Sequence, residues 1–314
     1  MAFDIAPLPG QDSFGAVVTG LSIDSIEDAA VRKALNDLWI DKGLIIFRGV
    51  EGIDAQVRLS AVFGQPVEHY LKAADWKPAH PLLTDIEYDD TTGEGDLYEI
   101  DGKLVGAWLP WHSDAAFAAE INHGGILRPV ELPEGDGGRT GFIDQIAAYA
   151  ALPEQLKQRI ENLNVLYFYD TDSSQAKFGW RADRLVRLSA KMDMARKHKT
   201  VRARSIHPLV YTQPETGRKV LNISPWWADA IEGMENAEGD ALLRKVIDHC
   251  IDPVRAYFHT WSLDDMVLWD NWRLIHCACG VPAGSRRHMH RTTIVGDYGL
   301  GRLEETAKET RFAS

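Results

Sequence analysis

The residues best suited to chemistry are Trp111-His112-Ser113-Asp114 and, far along the chain, His276. On an extended strand, side chains two apart share a face. His112 and Asp114 can therefore reach one metal ion together. A lone His-x-Asp pair is common on ordinary surfaces and needs a distant third ligand. His276 is the candidate, at the end of the apolar run that starts at Leu268; taken alone it reads as a core histidine. Two imidazoles and one carboxylate leave three positions open on an octahedral ion, as non-haem Fe(II) oxygenases require. Zinc hydrolases use the same donor types, so a zinc-dependent hydrolase on the same scaffold stays open as a second reading. No HExxH occurs.

The run Arg286-Arg287-His288-Met289-His290-Arg291 adds charge. Arg287 and Arg291 are four apart and share a face if the run is extended; His288 and His290 then face the other way. A guanidinium is a fork matched to carboxylate or sulfonate. A buried guanidinium without a partner is costly. Arg291 thus points to a carboxylate, sulfonate or sulfate on the substrate, unless a protein carboxylate such as Asp297 takes it. There are ten tryptophans, and Trp108, Trp111, Trp180, Trp226 and Trp227 fall near these segments. They suit an aromatic or bulky apolar substrate, or plain core packing. Cys277 and Cys279 read as buried thiols.

Several elements must position these residues. Residues 27–41 and 54–63 read as helices, the second ending at Gly64. Leu44 to Phe47 reads as a buried strand. Residues 98–100 and 103–105 read as a hairpin on Asp101-Gly102. Residues 144–161 and 239–258 read as helices. Residues 165–169, 209–211, 220–223, 266–269 and 292–295 read as strands. Many short strands with a few helices predict a mainly β fold with peripheral α, a double-stranded β-helix or jelly roll. No linker divides the chain, so a single domain over 1–314 is expected. Lid or insertion segments are expected near 70–108 and 173–204, and a frayed tail from 302 onward.

Composition excludes whole classes. The 314 residues carry 34 basic and 46 acidic side chains, a formal charge of −12. That balance argues against nucleic acid or an anionic membrane as partner. Three cysteines are too few for a disulfide scaffold. No apolar run approaches a membrane span, and no signal peptide is read at the start. A cytoplasmic location is expected.

The ordered set of WHSD, Gly137-Gly138-Arg139-Thr140, His207 to Leu221, WDN with His276, and Arg286 to Asp297 resembles the taurine / 2,4-dichlorophenoxyacetate dioxygenase (TauD/TfdA) family. The likeness runs from about Gly15 to Asp297. It implies an Fe(II)- and 2-oxoglutarate-dependent dioxygenase that consumes O2, releases succinate and CO2, and hydroxylates a substrate carbon, cleaving it where that carbon bears a heteroatom. It implies that His112, Asp114 and His276 ligate Fe(II). Thr140 and Arg287 would bind the distal carboxylate of 2-oxoglutarate. Arg291 would pair with the substrate anion. His69 matches a substrate-contacting position, and Trp227 and Tyr169 fall at pocket-lining positions. Asp114 favours hydroxylation over halogenation, since related halogenases lack this carboxylate. An aryl or aryloxy-alkanoate carboxylate is the expected substrate; taurine or another alkyl sulfonate or sulfate is the alternative. The family often forms dimers or tetramers. One departure is Trp272 after the WDN triplet, where the family usually has arginine; here Arg273 comes next.

Overall fold

The Leu44–Arg48 strand shows how the core is built. Leu44 and Ile46 face one apolar cluster, Ile45 and Phe47 another, and all four are fully buried. A continuous apolar run is what a strand covered on both faces needs. Each such side chain contributes about 2 kcal/mol by leaving water.

The computed structural model describes residues 2–11, 13–68, 79–135, 137–169, 176–179, 184–197 and 203–305. Two large sheets face each other. The first runs in the order Asp4–Pro7, Ala16–Thr19, Leu44–Arg48, Asp265–Asp270, Gly124–Glu131, Arg286–Ile294 and Pro66–Val67, with Leu83–Asp89 also paired to Arg286–Ile294. The second runs Arg184–Arg187, Leu97–Ile100, Lys103–His112, Leu274–Pro282, Thr140–Asp144 and Ala256–His259. Phe142 and Leu274 from the second sheet pack on Ile46, Val267, Trp269 and Met289 from the first. This is a jelly-roll core, mainly β with helices outside.

The helices cover the outer faces. Ala29–Lys42 and Ile53–Phe63 pack Leu35, Trp39, Leu59 and Val62 against Ile45, Phe47 and Leu268. Ala237–Cys250 packs Leu243, Val246 and Ile247 in a cluster with Ile143, Ile275 and the strand residues Val165 and Ile231.

The Asp101-Gly102 hairpin forms as expected, with both residues at positive φ (49° and 72°), which this two-residue turn requires. Three expectations need correction. The 144–161 helix is two helices, Gln145–Ala150 and Glu154–Ile160, because Pro153 cannot donate within a continuing helix. The 239–258 helix ends at Cys250; Pro253 opens a short 3-10 turn and Ala256–His259 is a strand. The short 292–295 strand is the end of the long Arg286–Ile294 strand. In the 173–204 segment the described residues include the strand Arg184–Arg187 and the helix Ala190–Lys197; Trp180 lies outside the described residues.

Candidate active site

The Lys103–His112 and Leu274–Pro282 strands bring the two histidines together. His112 pairs directly with His276 across this ladder, and a bulge shifts the register between there and the Leu109–Ala278 pair. The two rings lie 4.3 Å apart. His276 is therefore the third residue of its own strand, beyond the turn that ends Asp265–Asp270, and not the end of that apolar strand.

Asp114 arrives differently from the sequence expectation. The strand ends at His112, and Asp114 lies in the turn that follows. Asn271 holds it there: its Oδ1 accepts from the Asp114 backbone N at 2.8 Å and its Nδ2 donates to the Asp114 carbonyl at 3.0 Å. Ser224 Oγ accepts from the Ser113 backbone N at 2.9 Å. Ala115 then turns the chain at φ 58°, a conformation that costs a non-glycine residue energy and often marks a site. Asp114 Oδ1 ends 3.9 Å from His112 Nε2 and 3.8 Å from His276 Nε2. One donor atom from each residue lies within 4.8 Å of the others.

Their chemistry suits a cation. His112 Nδ1 lies 2.7 Å from the Pro110 carbonyl oxygen. Only a protonated Nδ1 can donate there, so the Nε2 lone pair is free. Burial pushes His112 below its ordinary pKa. Burial, with His112 and Arg291 nearby, takes His276 down to about 3 despite Asp114. Both imidazoles are thus held neutral, the state that binds metal.

The three residues line a cavity of about 120 Å³ together with Thr140, Arg287, Arg291, Ile86, Leu109, Leu127, Phe142 and Trp269. Arg287 and Arg291 share the inner face of Arg286–Ile294, as their spacing predicts. His288 and His290 face the other way, where both reach Asp85. Arg287 is buried, and no carboxylate among the described residues pairs with it; its Nε has no partner. Burial lowers its pKa to about 10. Gly138, at φ 78°, packs against it, and a Cβ there would lie 3.2 Å from Arg287 Cδ. That close approach explains a glycine in the Gly137-Gly138-Arg139-Thr140 turn.

Arg291 does not pair with Asp297, whose carboxylate accepts from the backbone N of Ile121 and Gly299. Its guanidinium lies against Asp114. Trp227 and Tyr169 stack on each other, 5.6 Å apart, with Phe117 beside them, and line no part of the histidine–aspartate cavity. Trp226 comes nearer, meeting the His112 ring edge-on at 5.2 Å. His69 lies outside the described residues. Trp272 is fully buried, its indole donating to the Gly296 carbonyl at 3.3 Å. Arg273 makes a bidentate pair with Asp144 at 2.9 Å. Sequence reasoning missed the bracing by Asn271 and Ser224; the WDN triplet around Asn271 was the available signal.

The family model described as "Taurine catabolism dioxygenase TauD, TfdA family" matches residues 4–293. The chain belongs to the TauD/TfdA family. It is an oxidoreductase of the 2-oxoglutarate-dependent dioxygenase class, whose cofactor is Fe(II) and whose co-substrates are 2-oxoglutarate and O2. The (S)-phenoxypropionate/alpha-ketoglutarate-dioxygenase of Sphingobium herbicidovorans is 33% identical over 298 residues, covering 94% of this chain and 96% of that one. An alkylsulfatase of Acinetobacter baylyi is 26% identical over 289 residues, covering 91% and 84%. The crystal structure of a taurine dioxygenase from Burkholderia xenovorans shares the TauD/TfdA fold, with a TM-score of 0.69 at 23% identity and coverage of 95% and 92%.

Proposed function

We propose that this TauD/TfdA dioxygenase hydroxylates a small aryloxyalkanoate-type carboxylate, with His112, Asp114 and His276 holding Fe(II). The observation that carries the reading is Arg287: a buried guanidinium without a carboxylate partner among the described residues, in the same cavity as the three donors and Thr140. A buried cation of this kind calls for an anion. The distal carboxylate of 2-oxoglutarate fits it, with Thr140 as a second contact. Bound Fe(II) supplies the activation of O2 that couples decarboxylation of 2-oxoglutarate, to succinate and CO2, with insertion of one oxygen atom into a substrate C–H bond.

The chain's own residues do the rest. His112 and His276, kept neutral by burial, offer nitrogen lone pairs, and Asp114 offsets the cation's charge. Arg291 presents its guanidinium to the substrate anion. Ile86, Leu109, Leu127, Phe142 and Trp269 give the cavity apolar walls that exclude water. Those walls favour a carboxylate on a bulky apolar body over taurine. Hydroxylation of the carbon that bears an ether oxygen gives a hemiketal, which breaks its C–O bond to leave a phenol and a 2-oxo acid.

A second reading, an alkyl sulfate or sulfonate, is favoured by the likeness to the alkylsulfatase, since a guanidinium at Arg291 accepts a sulfate as readily as a carboxylate. A panel of both enantiomers of 2-phenoxypropionate, phenoxyacetate, alkyl sulfates and taurine, scored by substrate-dependent succinate release, tests the choice. Turnover confined to sulfates or taurine would overturn the aryloxyalkanoate assignment.

The proposal extends to the molecule's setting. The resemblance supports a homodimer or tetramer, which light scattering on the purified protein tests. Cys250, Cys277 and Cys279, none of them in a disulfide, support a reducing, cytoplasmic location, which fractionation tests. Among the described residues no helix is long and apolar enough to cross a membrane.

A further inference from the structure

Trp261 does not itself line the co-substrate cavity but packs against residues that do, and bonds to one of them. It is buried in the apolar cluster between the two sheets, together with Phe142 and Trp269. Its indole Nε1 donates to Thr140 Oγ1 at 3.1 Å. An indole N–H can only donate, so the Thr140 oxygen is the acceptor in this bond. The proton of the Thr140 hydroxyl must then point elsewhere, and Thr140 lines the cavity that also holds Arg287.

The indole is itself fixed from behind. The fully buried His259 ring meets it edge-on, with centroids 4.7 Å apart at 81°. His259 sits opposite Thr140 in the sheet register, and its Nε2 lies 3.1 Å from Asp265 Oδ2. Asp265 in turn accepts from Arg48 Nε at 3.1 Å and from the Ser262 backbone N at 3.0 Å. A chain of contacts thus runs inward from the half-exposed Arg48 through the buried Asp265, His259 and Trp261 to Thr140.

We infer that Trp261 is a positioning residue for the co-substrate: by donating to Thr140 Oγ1, it commits the Thr140 hydroxyl to donate into the cavity, toward the distal carboxylate that Arg287 also meets. Without that indole N–H the hydroxyl is free to rotate, and its proton can turn away from the cavity. Trp261 then tunes selection of a five-carbon 2-oxo dicarboxylate over shorter 2-oxo acids. The inference rests on the proposed contact of Thr140 with the distal carboxylate.

The test measures binding without turnover. Mn(II)-loaded protein is titrated calorimetrically with 2-oxoglutarate and, separately, with pyruvate, which lacks the distal carboxylate. Trp261→Phe keeps an aromatic, though smaller, side chain and removes the donor. It is expected to weaken 2-oxoglutarate about 3- to 10-fold, the worth of one neutral hydrogen bond, and to leave pyruvate affinity unchanged. Thr140→Val should produce a loss of similar or greater size, and Trp261→Phe on top of Thr140→Val should add nothing.

A loss shared equally by both ligands would make Trp261 a packing residue and overturn the inference. So would an unchanged 2-oxoglutarate affinity in Trp261→Phe when Thr140→Val weakens it, although the Thr140 contact would stand. If Thr140→Val itself leaves 2-oxoglutarate affinity unchanged, the Thr140 contact fails and the inference falls with it.

Discussion

Arg291 lays its guanidinium against Asp114: Nη2 is 2.7 Å from Oδ2, and Nη1 donates to Oδ1 at 3.2 Å. Both side chains are about nine-tenths buried, and the guanidinium also lies over the Trp269 ring at 5.3 Å. The group proposed to hold the substrate anion thus touches a carboxylate proposed to hold the metal.

Arg291→Gln should therefore damage use of the primary substrate far more than turnover of 2-oxoglutarate alone. Losing one partner of a buried charge pair costs about 2 kcal/mol or more. We expect kcat/KM for the primary substrate to fall at least ~30-fold, with uncoupled succinate release within about threefold of the native protein. Succinate assayed with and without substrate measures both. Equal losses would place Arg291 in the co-substrate site.

Asn271 braces the Asp114 backbone from both sides. Removing such outer support of a ligand costs about 10- to 100-fold in metal affinity. Asn271→Ala should weaken Mn(II) binding by that factor, read by calorimetry on the metal-free protein. It should also destabilise the fold by about 1–3 kcal/mol, from the buried groups left unpaired. Metal affinity equal to that of the native protein would remove Asn271 from the account.

The Arg273–Asp144 pair is fully buried and braces the turn that leads to His276. Asp144→Asn strands the guanidinium, and urea unfolding should show a loss of about 3–5 kcal/mol. Replacing both residues, as Asp144→Leu with Arg273→Met, should recover most of that loss, since an apolar pair leaves no charge to compensate. A double variant no better than the single one would show that the ion pair itself is needed.

His207 gives a pH signature away from the cavity. It is buried, and that burial lowers its pKa below the ordinary value. The unfolded chain takes up a proton near pH 6.5, while the folded one resists. Its neutral form therefore supports stability above that pH, and the support is lost as pH falls below it. Melting temperature followed from pH 8 to pH 5 should drop on the acid side. His207→Gln should flatten part of that drop, although its starting stability is lower. An identical slope in the variant would rule His207 out as its source.

Residue types and order carried the donor set. Two imidazoles, a carboxylate and two arginines four apart are a chemical statement before they are a structural one. The alternation of a strand was enough to send Arg287 and Arg291 to the cavity face and His288 and His290 to the opposite face. Local signals also found the Asp101-Gly102 hairpin and the strand at Leu44, because a two-residue turn and a doubly buried run are written within a few residues.

What spacing could not supply was anything set by pairing across distance. The sequence reading assigned Asp114 to an extended strand and left Arg291 with either a substrate anion or a protein carboxylate such as Asp297. In the fold, Asp114 sits past the strand end, held by Asn271 from 157 positions away, and Arg291 reaches that same carboxylate. Trp227 and Tyr169, set as pocket walls by likeness alone, stack on each other and do not line the cavity, Trp227 meeting the His112 ring edge-on at 6.5 Å and Trp226 nearer at 5.2 Å. Which side chains can react is thus chemistry carried by each residue in the chain. Which of them touch depends on sheet register and on buried hydrogen bonds between residues far apart in sequence, and only the packed structure closes those contacts.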